Sequence, residues 1–333
     1  MRVRAMLRGL PVTELGLGTA QFGNLYRETT DEQAMSAVET AWGAGIRYFD
    51  TAPHYGLGLA ERRLGALLAK RPRDEFVIST KVGRILEPSL QSANQMDDQG
   101  FLVPAAATRR WDFSRDGILR SVEESLARTG LDRLDILYLH DPDDFWEQAS
   151  TEGINTLIEL REQGVVKAVG AGMNYSAPLA DLIRKADVDI VMVAGRMTLL
   201  EHDALDDLLP LAQERKVGVV AAGVYNSGLL SKDRPSVGAK FNYVDAPENL
   251  VNRTNSLADI CERHGVRLPV AAVAFPLLHP AVTSVVLGAR DAAQVSGNVE
   301  RYDTQIPTEL WAELSDTGLI PQMTIPRAST EQN

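Results

Sequence analysis

Short apolar runs alternate along the chain with longer segments in which apolar residues recur at helical spacing. The apolar runs predict eight β-strands, at residues 14–17, 46–49, 76–80, 136–139, 165–170, 190–193, 217–221 and 283–287. The helical segments lie between and after the strands, at residues 31–42, 59–68, 114–129, 151–162, 177–185, 202–214, 249–264, 292–300 and 308–315. Such alternation of strand and helix is typical of a parallel sheet with helical crossovers.

The number of strands and the length of the chain favour one architecture. Eight strands with helical crossovers in 333 residues predict an α/β fold of the closed (β/α)8 type, the TIM barrel. No Pro/Gly-rich linker or change of composition divides the chain, so we expect one domain over residues 1–320. Residues 321–333 show no periodicity and are expected to form a flexible tail.

Two long connections interrupt the regular alternation. Residues 83–113 follow the third predicted strand, and residues 223–248 follow the seventh. In a barrel both would leave the face at the C-terminal ends of the strands, where active sites are built. Connections of this length are usually functional or disordered, so we expect lids over a pocket, with solvent-exposed decoration as the alternative.

Composition restricts the partners of this chain. The net charge of -11 argues against nucleic acid and anionic membranes, because both attract clustered Lys and Arg. The only cysteine, Cys261, has no internal partner, which fits a reducing cytoplasm. No apolar run reaches the ~18 residues of a membrane span, and the basic start lacks the apolar core of a signal peptide. We therefore expect a soluble, cytoplasmic protein.

Four chemically versatile residues follow the ends of predicted strands. Asp50 ends the second strand and Tyr55 lies shortly after it, whereas Lys81 and His140 end later strands. In a parallel barrel these side chains would meet in one pocket. A tyrosine hydroxyl, with a pKa near about 10, needs a nearby cation to act as a base. Lys81 would supply that cation, Asp50 would hold it, and His140 would orient a substrate oxygen.

Other interpretations exist for the same residues. Each of the four residue types has common structural roles, so only their combination favours an enzyme. Residues 16–18 imitate a dinucleotide-binding fingerprint, but Gln21 stands where its third glycine belongs. Residues 140–144 suggest a metal hydrolase, although five histidines without a His-x-His pair are few for a metal site. A binding or regulatory protein on the same fold is a further alternative.

The segments 50–56, 79–82 and 135–140 together resemble the signatures of the aldo-keto reductases. The resemblance extends from residues 15–19 to Asn298. It implies that Tyr55 donates or accepts a proton, that Lys81 and Asp50 tune it, and that His140 positions the carbonyl or alcohol. It also implies a nicotinamide cofactor that lies extended across the barrel mouth without a Rossmann unit.

The resemblance further implies a set of cofactor contacts. These are Gly18, Thr19, Asp50, Asn174, Tyr225, Asn226, Ser227, Gly228, Leu229, Gly288, Arg290, Gln294 and Asn298. Asn174 would hold the carboxamide, and residues 225–230 would clamp the pyrophosphate. Gly288 and Gln294 stand where members that prefer NADP often carry Lys and Arg, which leaves Arg290 as the nearby cation. We therefore expect NAD as the cofactor, with NADP possible.

Further similarity lies in residues 81–84, 121–126, 137–143, 194–196 and 225–228. These segments resemble a subgroup, the bacterial sugar 1-dehydrogenases of the D-threo-aldose or L-fucose type. This similarity implies oxidation of a pyranose such as L-fucose, D-arabinose or L-galactose at C1 to the lactone. Substrate contacts are expected from His54, Trp111, Asp141 and Trp146, which would supply polar groups and an aromatic face. Pyridoxal 4-dehydrogenase activity and NADPH-dependent reduction of aldehydes or ketones are the alternatives. No outer helix has an apolar face that decides the oligomeric state.

Overall fold

Eight parallel strands form a closed barrel in which each strand pairs with its neighbours in chain order. The structure, a computed structural model, describes residues 1–5, 10–235, 238–241 and 244–322. The strands are β1 (Leu15–Gly18), β2 (Tyr48–Asp50), β3 (Val77–Val82), β4 (Ile136–His140), β5 (Ala168–Met173), β6 (Ile190–Ala194), β7 (Gly218–Ala222) and β8 (Val282–Gly288). The predicted TIM barrel is therefore confirmed. Of the expected tail, residues 323–333 lie outside the described residues.

Helices cover the outside of the barrel. They are α1 (Asp31–Gly43), α2 (Leu59–Leu68), α3 (Arg115–Thr129), α4 (Ile154–Glu162), α5 (Ser176–Lys185), α6 (Leu208–Arg215), α7 (Glu248–Arg263), α8 (Leu268–Ala274), α9 (Ala292–Asp303) and α10 (Thr308–Asp316). Thr30 begins α1 with a capping box, in which its side chain accepts from the Gln33 amide. Within the described ranges, no helix is both long and apolar enough to cross a membrane.

Several predicted boundaries need correction. Strand β5 begins at Ala168 and not at residue 165, because Gly164 makes a left-handed turn and Val165 is exposed. A π-helical segment, Ala149–Gly153, precedes α4, which begins later than residue 151. Helix α8 was not predicted. Nearly all its residues are buried, so it shows no alternation of apolar and polar positions.

Within the described residues, three antiparallel strand pairs supplement the barrel. Val3–Ala5 pairs with Pro11–Thr13 at the N-terminus. The first long connection folds into a hairpin in which Arg84–Pro88 pairs with Ala107–Trp111. The second long connection contains a short pair, Lys240–Phe241 with Val244–Asp245. The long connections are therefore partly built of regular structure.

Alternation along the strands decides which side chains reach the site. Outward residues such as Phe49, Ile78 and Leu139 pack in the main core beneath the helices. Tyr48 and Tyr138 belong to a separate cluster inside the barrel. Because side chains alternate along a strand, the residues two positions later also point inward. This register directs Asp50, Lys81 and His140 into the barrel mouth.

Candidate active site

A cavity of about 650 Å³ opens at the C-terminal ends of the barrel strands. Asp50, Lys81 and His140 line it from β2, β3 and β4, and Tyr55 lines it from the turn after β2. The structure thus brings together the four residues that the sequence analysis selected for catalysis.

Asp50 and Lys81 form a buried ion pair at the floor of the cavity. The Lys81 ammonium lies 2.7 Å and 3.0 Å from the two carboxylate oxygens of Asp50, and it also donates to the Thr51 carbonyl at 3.0 Å. Burial lowers the pKa of Lys81, but the negative charge of Asp50 and the Tyr55 hydroxyl outweigh burial and raise it overall. Lys81 is therefore a permanent cation beside Tyr55.

Tyr55 lies over this cation. The Lys81 nitrogen is 4.9 Å from the centroid of the Tyr55 ring. Burial raises the pKa of Tyr55 more than the Lys81 charge lowers it, and Asp50 raises the pKa further. Lys81 lowers the pKa of Tyr55, as a nearby cation should, but burial outweighs this effect and the pKa of Tyr55 stays above its usual value. A buried phenol, unlike an exposed one, loses much of the hydration that stabilises its anion.

Two histidines stand beside Tyr55, and both are neutral. Burial lowers the pKa of His140 well below its usual value, and the nearby cations Arg84 and Lys81 lower it further. Burial likewise lowers the pKa of His54 to about 2. The two ring centroids are 5.6 Å apart, and the Nδ1 atom of each is buried without a hydrogen-bond partner. Neutral imidazoles with free ring nitrogens suit the recognition of a hydroxyl or carbonyl.

Asp141 connects the cavity to the first long connection. It adopts a left-handed backbone conformation after β4, with φ 38°. One of its carboxylate oxygens accepts from the Arg84 guanidinium at 2.6 Å, and the other lies 3.5 Å from the Asn174 amide nitrogen. The Arg84 guanidinium also lies 4.1 Å from the centre of the Trp111 ring. Asp141 therefore lines the cavity as predicted and holds Asn174 and Arg84 in place.

The structure does not place the two predicted tryptophans on this cavity. Trp111 packs between Arg84 and the rings of Phe113 and Phe145, because the hairpin register pairs it with Arg84. Trp146 lines a separate surface depression with Phe145. The sequence predicts substrate contacts from Trp111 and Trp146, but neither residue lines the cavity.

Phe101 supplies the aromatic wall instead. Its ring lies 5.2 Å from His54 and 6.1 Å from Tyr55. The segment around it is anchored by Arg109, which is paired with Asp97 and donates to the His54 carbonyl at 3.0 Å. Phe101 was not predicted as a site residue, and neither were several other residues that line the cavity, among them Gln21, Leu25, Tyr26, Gln99 and Gly100. The signal in the sequence was an aromatic residue inside the long connection after β3.

The turn that carries Tyr55 packs directly against the loop after β1. A Cβ atom added at Gly23 would lie 2.5 Å from the Tyr55 carbonyl carbon and 2.6 Å from the Gly56 nitrogen. Gly56 itself has a φ of 61°, a left-handed conformation that favours glycine. Two glycines thus allow the backbone contact that fixes Tyr55.

We predict that Gly23→Ala destabilises the protein by about 1–3 kcal/mol and lowers kcat, because the added methyl group pushes the Tyr55 turn away. Urea denaturation and steady-state kinetics measure the two effects. Gly43→Ala is the matched control, since a Cβ there meets no atom within 4 Å. Equal stability of the two variants would contradict the proposed close packing.

A groove of about 670 Å³ continues from the cavity across the barrel mouth. It shares Gln21, Asn174, Ala194, Gly223 and Gly288 with the cavity. Its predicted cofactor residues are Asn174, Tyr225, Asn226, Ser227, Gly228, Gly288 and Arg290. Gly18, Thr19 and Asp50 line the catalytic end. The Asn226 Oδ1 and Gln21 Oε1 atoms are buried without a partner, so this extended groove offers free polar groups to a dinucleotide.

Three predicted cofactor residues line neither the cavity nor the groove. Leu229 is buried and packs in the main core. Gln294 accepts from the Arg290 amide at 2.9 Å, and Asn298 accepts from the Tyr225 hydroxyl at 3.2 Å. These contacts shape the groove from behind, so direct cofactor contacts from Leu229, Gln294 and Asn298 are not supported by their positions.

Among the described residues, no cluster of three or more His, Cys, Asp or Glu has a geometry that could hold a metal ion. The polar groups of the cavity are arranged around a tyrosine, a lysine and two neutral imidazoles. Residues 14–317 match the model of the aldo/keto reductase family. This chain belongs to the aldo/keto reductase family.

Relatives of known function agree with this assignment. The chain is 47% identical to a D-threo-aldose 1-dehydrogenase from a Pseudomonas species, over 95% of this chain and 97% of the relative. It is 40% identical to a pyridoxal 4-dehydrogenase from Microbacterium luteolum, over 94% and 96% of the two chains. An aldo-keto reductase from Bacillus halodurans, solved in its holo form, has the same fold, with a TM-score of 0.76, 24% identity and coverage of 98% and 99%.

The predicted enzyme class is thereby confirmed. The protein is an oxidoreductase that acts on CH–OH groups, and its family uses nicotinamide cofactors, usually NADP. The cavity and the adjoining groove are the parts of the molecule that suit a small alcohol or carbonyl substrate and such a cofactor.

Proposed function

We propose that this enzyme oxidises the C1 hydroxyl of a pyranose, such as L-fucose, D-arabinose or L-galactose, to the lactone with NAD⁺. The observation that carries the proposal is the cavity itself, which joins the Asp50–Lys81–Tyr55 group to two neutral histidines and one aromatic wall. The D-threo-aldose 1-dehydrogenase relative supports the substrate class. We propose that the enzyme is cytoplasmic, which fits a chain whose single cysteine, Cys261, is buried and has no disulfide partner.

Each catalytic residue has a defined task in this reaction. His140 hydrogen-bonds the C1 oxygen through a ring nitrogen, and because it stays neutral it orients the alcohol without protonating it. Tyr55, as the phenolate, takes the proton of the C1 hydroxyl, and Lys81 stabilises that phenolate. A nicotinamide cofactor held by groove residues such as Asn174 would supply the acceptor for the hydride that leaves C1. Asp50 keeps Lys81 in place below the phenol.

The walls of the cavity suit a cyclic sugar. His54 and Asp141 offer polar contacts to ring hydroxyls, whereas Phe101 presents an apolar face next to Tyr55. A pyranose has both kinds of surface, with hydroxyls at its edge and C–H groups on its face. We propose that His54, Asp141 and Phe101 contact the sugar.

The groove favours NAD over NADP in our proposal. Among the described residues, two cationic side chains line the groove, Lys240 and Arg290, and both already have partners within the protein. Lys240 pairs with Asp245 at 2.6 Å, and the Arg290 guanidinium donates to the Leu25 and Arg27 carbonyls and the Thr29 hydroxyl. Neither is free to bind a 2′-phosphate without losing these contacts. Gly288 is moreover covered by the Gln21 side chain, which a Cβ atom would meet at 2.5 Å.

We predict that kcat/KM for NAD⁺ exceeds that for NADP⁺ by about tenfold or more, because a 2′-phosphate would lack a free cation. Gln294→Arg is expected to narrow this ratio by adding a guanidinium near Arg290, with little effect on NAD⁺ itself. Initial rates with both cofactors under equal conditions measure the ratio. A hundredfold advantage of NADP⁺ in the parent enzyme would exclude the proposed preference.

A second candidate follows from the pyridoxal 4-dehydrogenase relative. Pyridoxal forms a cyclic hemiacetal, and its oxidation also gives a lactone, so the same proton and hydride transfers apply. NADPH-dependent reduction of aldehydes or ketones remains the alternative in the opposite direction.

A substrate panel separates these candidates. NADH formation is followed with L-fucose, D-arabinose, L-galactose, pyridoxal and simple alcohols, and NADPH consumption with aldehydes. We expect rapid oxidation of at least one pyranose with NAD⁺ and its loss when Phe101 is replaced by Ala. Activity with pyridoxal alone would select the second candidate, and NADPH consumption alone would select reduction.

A further inference from the structure

The barrel interior carries a second layer of hydroxyl groups directly beneath the catalytic residues. Three strands each contribute a pair of inward residues, two positions apart: Tyr48 and Asp50, Ser79 and Lys81, Tyr138 and His140. The upper members are the catalytic candidates. The lower members, Tyr48, Ser79 and Tyr138, have no task in the mechanism described above.

These three hydroxyls form a continuous chain that ends at Asp50. The Ser79 hydroxyl lies 2.7 Å from an Asp50 carboxylate oxygen and 3.1 Å from the Tyr48 hydroxyl. The Tyr48 and Tyr138 hydroxyls are 3.2 Å apart. All three residues are fully buried. The barrel also leaves space for this chain, because a Cβ atom at Gly16 would approach the Tyr48 ring to 2.8 Å.

The chemistry of the groups fixes the direction of the hydrogen bonds. The Asp50 carboxylate, paired with Lys81, accepts hydrogen bonds, and the single Ser79 proton goes to it because this charge-assisted bond is the stronger one. Tyr48 then donates to Ser79, and Tyr138 donates to Tyr48. Burial raises the pKa of both tyrosines, so they remain neutral donors. Each bond polarises the next toward Asp50.

We propose that Ser79, Tyr48 and Tyr138 form a positioning network that orients the Asp50 carboxylate and, through it, the Lys81 ammonium below Tyr55. Without the hydrogen bond from Ser79, the Asp50 carboxylate would attract the Lys81 ammonium more strongly, and the ammonium would move away from the phenol. The network therefore influences the reaction through two intermediate residues and does not itself contact the substrate. It deepens the proposed function, since it rests on Tyr55 acting as the base.

The network has a consequence for the pH dependence of oxidation. The titratable and charged groups that surround Tyr55 are Lys81, Asp50, Asp141, Arg84, His54 and His140. Lys81 lowers the pKa of Tyr55, whereas burial and Asp50 raise it. If Lys81 is drawn toward Asp50, its stabilisation of the phenolate weakens. Loss of the Ser79 hydroxyl is then expected to raise the pKa of Tyr55.

The test compares two buried hydroxyls on the same strand. Ser79→Ala removes the donor to Asp50 inside the barrel. Thr80→Val is the matched control, because Thr80 donates to the buried Glu61 carboxylate at 2.7 Å on the outer face of β3. Tyr48→Phe removes the next hydroxyl of the network after Ser79 and keeps the aromatic ring. It therefore tests the proposal if Ser79→Ala does not fold.

We expect Ser79→Ala to lower kcat about tenfold, the effect of one hydrogen bond to a charged group. The midpoint of the rise of kcat with pH should move to higher pH by about half a unit or more. Tyr48→Phe should show a smaller shift in the same direction, and Thr80→Val none. If all three variants lost stability but kept the pH midpoint of the parent enzyme, the proposal would be overturned, because the hydroxyls would then be structural only.

A second measurement separates this proposal from the proposed function. Ultraviolet difference spectra between each variant and its Tyr55→Phe counterpart report the titration of Tyr55 without any turnover. A shift of the Tyr55 midpoint in Ser79→Ala, with no activity in the parent on the substrate panel, would retain the network and reject the proposed substrate. If the parent enzyme is active on the substrate panel and the Tyr55 midpoint is the same in the parent and in Ser79→Ala, the network would be rejected and the proposed function kept.

Discussion

Replacing Tyr55 by Phe is expected to lower kcat for oxidation by about 10³-fold, within the range for loss of a general base. The change removes only the hydroxyl that takes the proton, and the ring keeps its contacts with His140 and Phe101. Because burial raises the pKa of Tyr55, the active phenolate is scarce near neutral pH. Oxidation by the parent should therefore rise with pH above neutrality. Initial rates from pH 6 to pH 10 measure both effects.

The matched control for this prediction is Tyr302→Phe. Tyr302 donates to Glu14 at 2.7 Å and does not line the cavity, so its loss should leave kcat and the pH profile unchanged. The residual activity of Tyr55→Phe should no longer rise with pH over this range. A pH-independent rate in the parent enzyme would contradict the assignment of Tyr55 as the base.

Lys81→Met is expected to destabilise the protein by about 3–5 kcal/mol and to lower kcat at least about 10²-fold. The variant leaves the Asp50 carboxylate buried without its ion pair, which explains the loss of stability. It also removes the cation that stabilises the Tyr55 phenolate, which explains the loss of activity. Urea denaturation and steady-state rates measure the two effects separately.

Two controls separate stability from catalysis in this prediction. The double variant Lys81→Met/Asp50→Asn no longer buries a charge, so we expect it to recover much of the stability and none of the activity. Lys185→Met breaks an exposed pair with Asp181 of the same 2.7 Å length and should change stability little. Recovery of activity in the double variant would exclude a role of the Lys81 charge.

The barrel and its catalytic residues were predictable because their signals are local. Buried parallel strands appear as short apolar runs, and a polar residue such as Asp50 or His140 at the end of such a run is conspicuous. Chain order then places the strand ends on one face, because a barrel has parallel strands. The burial that raises the Tyr55 pKa was not predictable, since it comes from packing against Phe101 and His54.

The aromatic wall of the cavity shows where sequence reasoning ends. Phe101, Trp111 and Trp146 are similar candidates in the sequence, yet only Phe101 lines the cavity. The distinction depends on the hairpin register that pairs Trp111 with Arg84. It also depends on Arg109, which ties the segment around Phe101 to the His54 carbonyl. Contacts between residues this distant in the chain leave no local pattern.

The transfer of deuterium from C1 tests the central claim most directly. The enzyme is given NAD⁺ and the pyranose that it oxidises, carrying deuterium at C1, and the products are examined by mass spectrometry and NMR. We predict one deuterium at C4 of the nicotinamide in NADH, a primary isotope effect on the rate, and an unlabelled lactone. Deuterium that remains in the sugar product or appears in water would contradict hydride transfer from C1.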